Sequence, residues 1–349
     1  MKATQSRAPG RNPTIFDVAA LAGVSKSTVS NVVRGNDGVS AATRARVERA
    51  IEILGYRPNV LARQFVSQRT TILGVLVGDL DNPFYGDLAK RLERLAFRSG
   101  YTTMFCNIEG AGDEEADFAA SRVEALLEQR PAGVVFLAFF GRSPDIAAAL
   151  GGVPVVFAGL REDWGDSVAV SNSAGGKLAT EHLLDLGHRR IAYLTTHSLE
   201  RRAHVARHRG YQAAMRGAGV DPAPPIHWGP GSEEATVKGA DLSLLDQLRD
   251  TTAVFCSNDI GAIAVLEYAD RHGLRVPEDL SVVGFDDVHL ASLARISLTT
   301  IRQPFDDIAR IAVDTLLGRL SGTLEGPPRH TQLAPALVVR SSTAAPAAT

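Results

Sequence analysis

At 349 residues the chain exceeds one ordinary core, and two or three domains are expected. With 45% apolar and 22% charged residues, it matches a folded globular protein rather than a disordered one. The formal net charge of −2 hides a split: residues 1–70 hold 11 Lys or Arg against 4 Asp or Glu, a charge of +7, leaving −9 for the remainder. A basic head on an acidic body is expected where one part meets a polyanion; the alternative is a solvated basic tail.

The two cysteines, Cys106 and Cys256, lie in apolar stretches and have no metal-ligand spacing, so buried thiols in a reducing compartment are expected. The first residues contain no apolar signal segment, and no apolar run approaches the roughly 20 residues that span a bilayer. A cytoplasmic location follows as an expectation.

In chain order, residues 1–13 read as a disordered arm rich in Pro, Gly and Arg. Thr14, with Asp17 three positions on, forms a capping-box-like start, and Ile15, Val18, Ala19 and Ala22 share one helical face. Gly23-Val24 breaks this helix. A second begins after Ser25 with Val29, Val32 and Val33 inward, and a third spans about 40–54 with Val47, Ile51 and Leu54 at helical spacing before Gly55. These make a domain over 14–56. Residues 57–70 have too few apolar positions to be stable alone, although Pro58 suits the first turn of a short helix.

From Thr71 the pattern alternates strand and helix. Strand-like runs include TILGVLV, TTMFC, GVVFLAF, PVVFA, SVAVS, RIAYLT, AVFCS and SVVGF, with amphipathic stretches at 84–99, 114–129, 174–186, 203–218 and 259–272. Nearly continuous apolar strands separated by helices predict parallel sheets covered on both faces, here in two α/β subdomains. A flexible Ala/Ser/Thr-rich tail is expected at 341–349, without the Leu heptad that a tail-built tetramer requires.

TIFDVAALAGVSKSTVSNVVRG carries two helices about a Gly-centred turn, the arrangement of a helix-turn-helix. Lys26, Ser27 and Asn31 project opposite the inward valines: Lys can donate to guanine, Asn can pair with adenine, and Ser is permissive. Thr28, Ser30 and the helix N-terminus suit phosphates, which position the head without specifying sequence, and Thr14 and Ser25 are further candidate DNA-binding residues. The alternative is a three-helix packing module with a polar outer face.

The stretch from Thr14 to Thr70 resembles the LacI–GalR family of transcription regulators. The resemblance continues through TILGVLVGDLDNPFYGDLAKRLE, HLLDLGHRRIAYLT, VFCSNDIGAIAVLEYADRHGLRVPEDLSVVGFDD and LTTIRQP. It implies that Lys26, Ser27 and Asn31 are base-reading positions. It also implies a hinge helix over 58–65 that folds when two subunits meet on DNA, with Phe65 as the minor-groove wedge where the family more often has Leu. Asn59 and Arg63 are candidate minor-groove or phosphate contacts. Phe65 packing on the body is the alternative.

The same resemblance implies a periplasmic-binding-protein-like body, its N-terminal subdomain at about 71–171 and 302–330 and its C-terminal subdomain at about 172–301 and 331–340. A ligand lies between them. The fold class is thus an all-α helix-turn-helix head plus an α/β body of two parallel-sheet subdomains. Ligand contacts are implied at Phe84, Arg207, Asn258 and Asp286, with Arg201 and Trp228 as further candidates; carboxylate and Arg groups grip hydroxyls while a ring covers an apolar face. Helix capping is the alternative for Asn258 and Asp286, core packing for Phe84, and a surface charge for Arg201. The chain departs from the family at Ala158-Gly159, where relatives carry an acid, and at Ala203, where a hydroxylic residue is frequent. The basic ERRAHVARHRG leaves a phosphorylated or acidic ligand open beside an ordinary sugar.

The function expected is a ligand-responsive, sequence-specific repressor, binding a near-palindromic operator as a homodimer, with a small metabolite (a sugar or related compound) as effector and no cofactor or metal. A transport receptor shares the body fold but not the basic head. A DNA-binding structural protein would not need so large an α/β body. No catalytic signature supports an enzyme, and His188 in DLGHRR reads as a loop or capping residue.

Overall fold

The computed structural model describes residues 13–33, 36, 38–56, 70–78, 80–108, 115–138, 144–196, 202–228, 247–248 and 250–347. The chain divides into two compact units, Met1–Thr70 and Thr71–Thr349. No helix among the described residues is long and apolar enough to cross a membrane.

In the first unit, helices α1 (Ile15–Ala22), α2 (Lys26–Val33) and α3 (Ala41–Leu54) enclose a core of Val18, Ala19, Ala22, Val29, Val32, Val47 and Ala50. Asp17 Oδ2 accepts both the Thr14 amide (2.7 Å) and the Thr14 hydroxyl (2.8 Å) at the start of α1. Gly23 ends α1 in the left-handed region (φ 64°), a conformation costly for any residue with a Cβ, and the sharp turn delivers α2 across α1. Ser25 caps α2 by accepting the Thr28 amide, and Ser40 caps α3 by accepting that of Thr43. Arg44 reaches back to the carbonyl oxygens of Asn36 (3.0 Å) and Val32 (3.5 Å), placing a cation at the end of α2.

The second unit begins with β1 (Ile72–Val77), α4 (Pro83–Arg98), β2 (Thr102–Asn107), α5 (Glu115–Glu128), β3 (Gly133–Phe136), α6 (Pro144–Ala149), β4 (Val155–Ala158) and β5 (Asp166–Val170). It continues with α7 (Asn172–Asp185), β6 (Ile191–Thr196), α8 (Arg202–Gly217), β7 (Ile226–Trp228), β8 (Ala253–Cys256), α9 (Asp259–Arg271) and β9 (Ser281–Asp286). A 3-10 turn (His289–Ser292), β10 (Thr299–Arg302), α10 (Phe305–Ser321), β11 (His330–Leu333) and β12 (Ala336–Val338) complete it. The sheet orders are β11-β5-β4-β3-β1-β2 and β12-β10-β9-β8-β6-β7. All pairings are parallel except β10 with β12. The apolar runs read from the sequence are buried on both faces: β3, β4, β5, β8 and β9 are buried at every position.

Each sheet has a topological switch point, between β1 and β3 in one and between β6 and β8 in the other, where ligands of open parallel sheets bind beyond the carboxyl ends. The chain passes from one sheet to the other between β5 and α7, between β10 and α10, and between β11 and β12. The last crossing corrects the boundary expected at 330: residues 330–333 pair with β5 of the first sheet, because β5 offers a parallel edge there.

The C-terminal segment is also corrected, since residues 341–344 are tied down rather than flexible. Ser342 Oγ donates to the Val282 carbonyl oxygen (2.6 Å) and accepts the Thr299 amide (2.8 Å). Thr343 meets His182 Nε2 (3.0 Å), and the Ala344 carbonyl oxygen meets His188 Nε2 (2.9 Å). His188, 1% exposed, also bonds Thr252 through Nδ1 (2.9 Å), and burial lowers its pKa below the ordinary imidazole value.

Candidate DNA-reading face and effector cleft

The valines of α2 point into the core, which turns its polar positions outward. Ser25, Lys26 and Ser27 are exposed, while Thr28, Ser30 and Asn31 are half-buried. Ser25 Oγ lies 2.7 Å from Ser27 Oγ and 2.8 Å from Thr28 Oγ1, a hydroxyl cluster at the N-terminal turn of α2. Asn31 Oδ1 accepts weakly from Asn36 (3.4 Å). With Val24, Ser25 and Thr28, it lines a shallow groove closed on the other side by Ser40, Thr43 and Arg46. The structure thus adds three polar residues to the sequence reading, all from the first turns of α3. Lys26 stands apart, its ammonium 5.1 Å from the centre of the Phe16 ring. The Thr14 hydroxyl is already engaged by Asp17. Asn59, Arg63 and Phe65, with the proposed hinge, lie outside the described residues.

In the second unit the closest helix crossing sets the key cation. A Cβ on Gly176 of α7 would stand 2.1 Å from the Arg207 carbonyl oxygen, and one on Gly210 of α8 would stand 2.1 Å from that of Ser173. Only two bare backbones let these helices approach so closely. That approach holds Arg207, 6% exposed, against the ends of β8 and β9. Its Nε donates to Asn172 Oδ1 (2.8 Å), one terminal nitrogen donates to the Ser257 carbonyl oxygen, and the other stands 3.6 Å from Asp286 Oδ1. The guanidinium plane lies over the Phe285 ring at 3.6 Å. Asp286 Oδ1 also accepts Gln303 Nε2 (2.7 Å), and the residue takes a positive φ of 126° at the end of β9.

Asn258 caps α9, its Oδ1 accepting the Gly261 amide at 2.7 Å. The neighbouring Asp259, fully buried, accepts Thr300 Oγ1 (2.5 Å) and the Val288 amide (2.9 Å); burial pushes its carboxyl up to about 6. Asp287 is held by Arg302 (2.7 Å) and Arg340 (2.6 Å) and belongs to the loop's own framework.

Across the first sheet, Asn82 caps α4 by accepting the Phe84 amide (3.0 Å). Phe84 is buried beside Tyr85 (centroids 5.1 Å) and Phe305 (5.4 Å). A Cβ on Gly159 would lie 3.1 Å from its ring, so the departure at Ala158-Gly159 makes room for the aromatic. Among the described residues, an ion pair and a hydrogen-bonded contact join elements of the two sheets: Glu162, after β4, pairs with Arg202 of α8 (3.4 Å), and Asp87 Oδ2 of α4 accepts the His289 amide after β9 (3.3 Å). They link segments that follow the carboxyl ends of strands in both sheets, which brings those ends to face one another.

Of the expected cleft residues, Arg207, Asp286 and Asn258 gather at the ends of β8 and β9, and Phe84 lies in the wall of the first sheet. Asn258 caps a helix and Phe84 is a core aromatic, so the alternative reading of each is realised in the geometry. Trp228 lies on the edge strand β7, its backbone paired with Thr196; its side chain, like Arg201, is outside the described residues. Phe305 packs on Phe84, Gln303 bonds Asp286, Asn172 accepts from Arg207 and Glu162 pairs with Arg202, although none of the four was singled out in the sequence. The only available signal was position, since Phe305 and Gln303 follow β10 and Asn172 follows β5.

Residues 14–59 match the family of bacterial regulatory proteins known as the lacI family, and residues 180–343 match the periplasmic binding protein-like domain. The chain is 38% identical over 336 residues to the ribose operon repressor of Escherichia coli (strain K12), covering 94% of this chain and 99% of that one. It is 34% identical over 341 residues to the HTH-type transcriptional repressor PurR of Vibrio vulnificus (strain CMCP6), covering 94% and 98%. Among solved structures, it resembles the lac repressor dimer bound to operator and the anti-inducer ONPF (TM-score 0.80, 30% identity, 96% and 100% covered). It also resembles the transcriptional regulator CelR in complex with cellobiose (TM-score 0.67, 32% identity, 95% and 99% covered). With a helix-turn-helix head and a two-sheet α/β body aligned along nearly the whole chain, the protein belongs to the lacI family and is a transcription regulator.

Proposed function

We propose that the protein is a cytoplasmic repressor that binds a near-palindromic operator as a homodimer and is switched by a neutral, polyhydroxylated metabolite in the cleft. The observation that carries the effector class is charge balance. Arg207 faces Asp286 and Arg202 faces Glu162, so two of the basic residues after β6 already have carboxylate partners. A guanidinium beside a carboxylate grips vicinal hydroxyls, and the Phe84–Phe305 wall suits the apolar face of a ring. The cap on α9 occupies Asn258 Oδ1 and leaves its amide nitrogen to donate. A ligand of this kind supports the sugar reading over a phosphorylated or acidic one. The ribose operon repressor and the CelR–cellobiose complex are sugar-named relatives.

On the DNA, Lys26, Ser27 and Asn31 read base edges. Thr14, Ser25, Thr28 and Ser30, with Ser40, Thr43 and Arg46 across the groove, meet phosphates. Residues 58–65 couple two heads, with Asn59, Arg63 and Phe65 at the minor groove, and effector binding changes their register. The body divides functionally into the two sheet subdomains.

The test has two arms. Operators are selected from random DNA with the full chain, and pentoses, hexoses, sugar phosphates and purine bases are then titrated into the complex while anisotropy is followed. A neutral sugar is expected to shift operator affinity in wild type and to have no effect on Arg207→Ala. A response confined to phosphorylated or purine compounds would overturn the effector class, and selection of no two-fold sequence would overturn the dimeric operator.

A further inference from the structure

We infer that Phe16 is a positioning residue for base recognition: its ring seats the Lys26 ammonium at the DNA-reading face and thereby sharpens base preference. This rests on the reading of Lys26 as a base contact. Phe16 is 64% exposed, while the core of its unit is built from valines and alanines that leave it out. A large ring on that surface has no burial to justify it. It sits on α1, and Lys26 is the first residue of α2, so the turn at Gly23 is what brings the two together. The ammonium lies 5.1 Å from the ring centroid, within the range where the negative face of an aromatic attracts a cation.

The seat answers two physical problems. Lys26 occupies the N-terminal turn of α2, where the helix dipole opposes positive charge. Its four-carbon stem is flexible, and an unseated ammonium samples phosphates and base edges alike. A ring that holds the head group over one part of the face lowers the freedom lost on docking and favours one acceptor over the neighbouring phosphates. Asn31 lies on the other side of α2, in the groove toward α3, so the ring acts on one of the base-reading groups and not on all of them.

The experiment compares full-length wild type, Phe16→Leu, Phe16→Tyr, Lys26→Ala and the Phe16→Leu/Lys26→Ala double variant. Each is measured on the selected operator and on its full set of single base-pair variants. Lys26→Ala is expected to flatten preference at one base pair of each half-site. Phe16→Leu is expected to reduce discrimination at that same pair by about two- to fivefold, the weight of an exposed cation–π contact, and to leave other positions unchanged. Phe16→Tyr, which keeps the ring, should restore wild-type discrimination, and the double variant should match Lys26→Ala. Equal weakening on all sequences by Phe16→Leu, or a preference change that persists in the Lys26→Ala background, would overturn the seat. If Lys26→Ala itself leaves every preference intact, the base-contact reading fails with it; if Lys26→Ala flattens one position and Phe16→Leu does not, the seat alone fails.

Discussion

The head and the body carry their proposed functional residues in opposite ways. On the head, Lys26 and Ser27 are exposed and the core is made by other side chains of the same short helices. In the body, Arg207, Asp286 and Asn258 are almost fully buried, and each also holds the fold together by binding a strand end, a crossing residue or a helix terminus. The ligands account for the contrast. A DNA groove is read by side chains standing out from a surface, whereas a small molecule is enclosed in a concave site whose walls are the protein interior. Function and stability are therefore separable in the head and entangled in the body.

The strongest challenge to this contrast is Arg207→Ala. It leaves Asp286 buried without its cation and is expected to cost about 3–5 kcal/mol in denaturant unfolding of the body as well as the effector response. A variant that lost the response at unchanged stability would show that the body, too, separates the two. Gly210→Ala comes next: its methyl would meet the Ser173 carbonyl oxygen, so about 1–3 kcal/mol should be lost as α8 moves off α7 and carries Arg207 with it. Effector affinity should fall although no contacting side chain has changed, which isothermal titration would measure.

A smaller effect is expected at the buried imidazole under the C-terminal segment. Burial depresses the His188 pKa, so the folded state favours the neutral ring. Its contribution to stability is present above the ordinary value of 6.5 and is lost as pH falls from there through the depressed folded value. Asp259 tilts the curve the other way, because a carboxyl raised to about 6 favours the fold at lower pH. The contribution of His188 is therefore read as the difference between wild type and His188→Gln. The melting-temperature gap should be widest above 6.5 and narrow on acidification. The smallest stability effect belongs to Lys26→Ala, within about 0.5 kcal/mol of wild type, while discrimination at one base pair falls by about 1–3 kcal/mol. A head that melted on this change would erase the contrast from the other side.

The head was the more legible region. Thr14, Ser25 and Ser40 announce helix starts, Gly23 and Gly55 announce ends, and valines at helical spacing decide which face is buried and hence which face stands outward. In the body the same kind of reading found the strands and the polar residues beyond them, yet it could not choose between their roles. Asn258 looks the same in sequence as a cap or as a ligand contact, and in the fold its oxygen is the cap. Phe305 and Gln303 reach Phe84 and Asp286 through a crossing between sheets, and the run LTTIRQP that holds Gln303 gives no sign of that partner. Glu162 meets Arg202 across 40 residues of sequence and Asp87 meets His289 across 202, distances at which only chain topology makes neighbours. The C-terminal segment misled for the same reason: small polar residues look like a free tail until Val282, Thr299 and His188 supply their partners.

By itself, then, the sequence determined the two-unit plan, the parallel sheets, the helix-turn-helix and the outward face of its second helix. All of these follow from capping, periodicity and charge acting within a few turns of chain. The tertiary structure decided which buried polar groups gather at the ends of β8 and β9, how Arg207 is balanced and what sits beneath Lys26. Those depend on two backbones meeting at Gly176 and Gly210, on crossings between sheets and on the sharp turn at Gly23, where residues distant in sequence come within hydrogen-bond or ring-contact range.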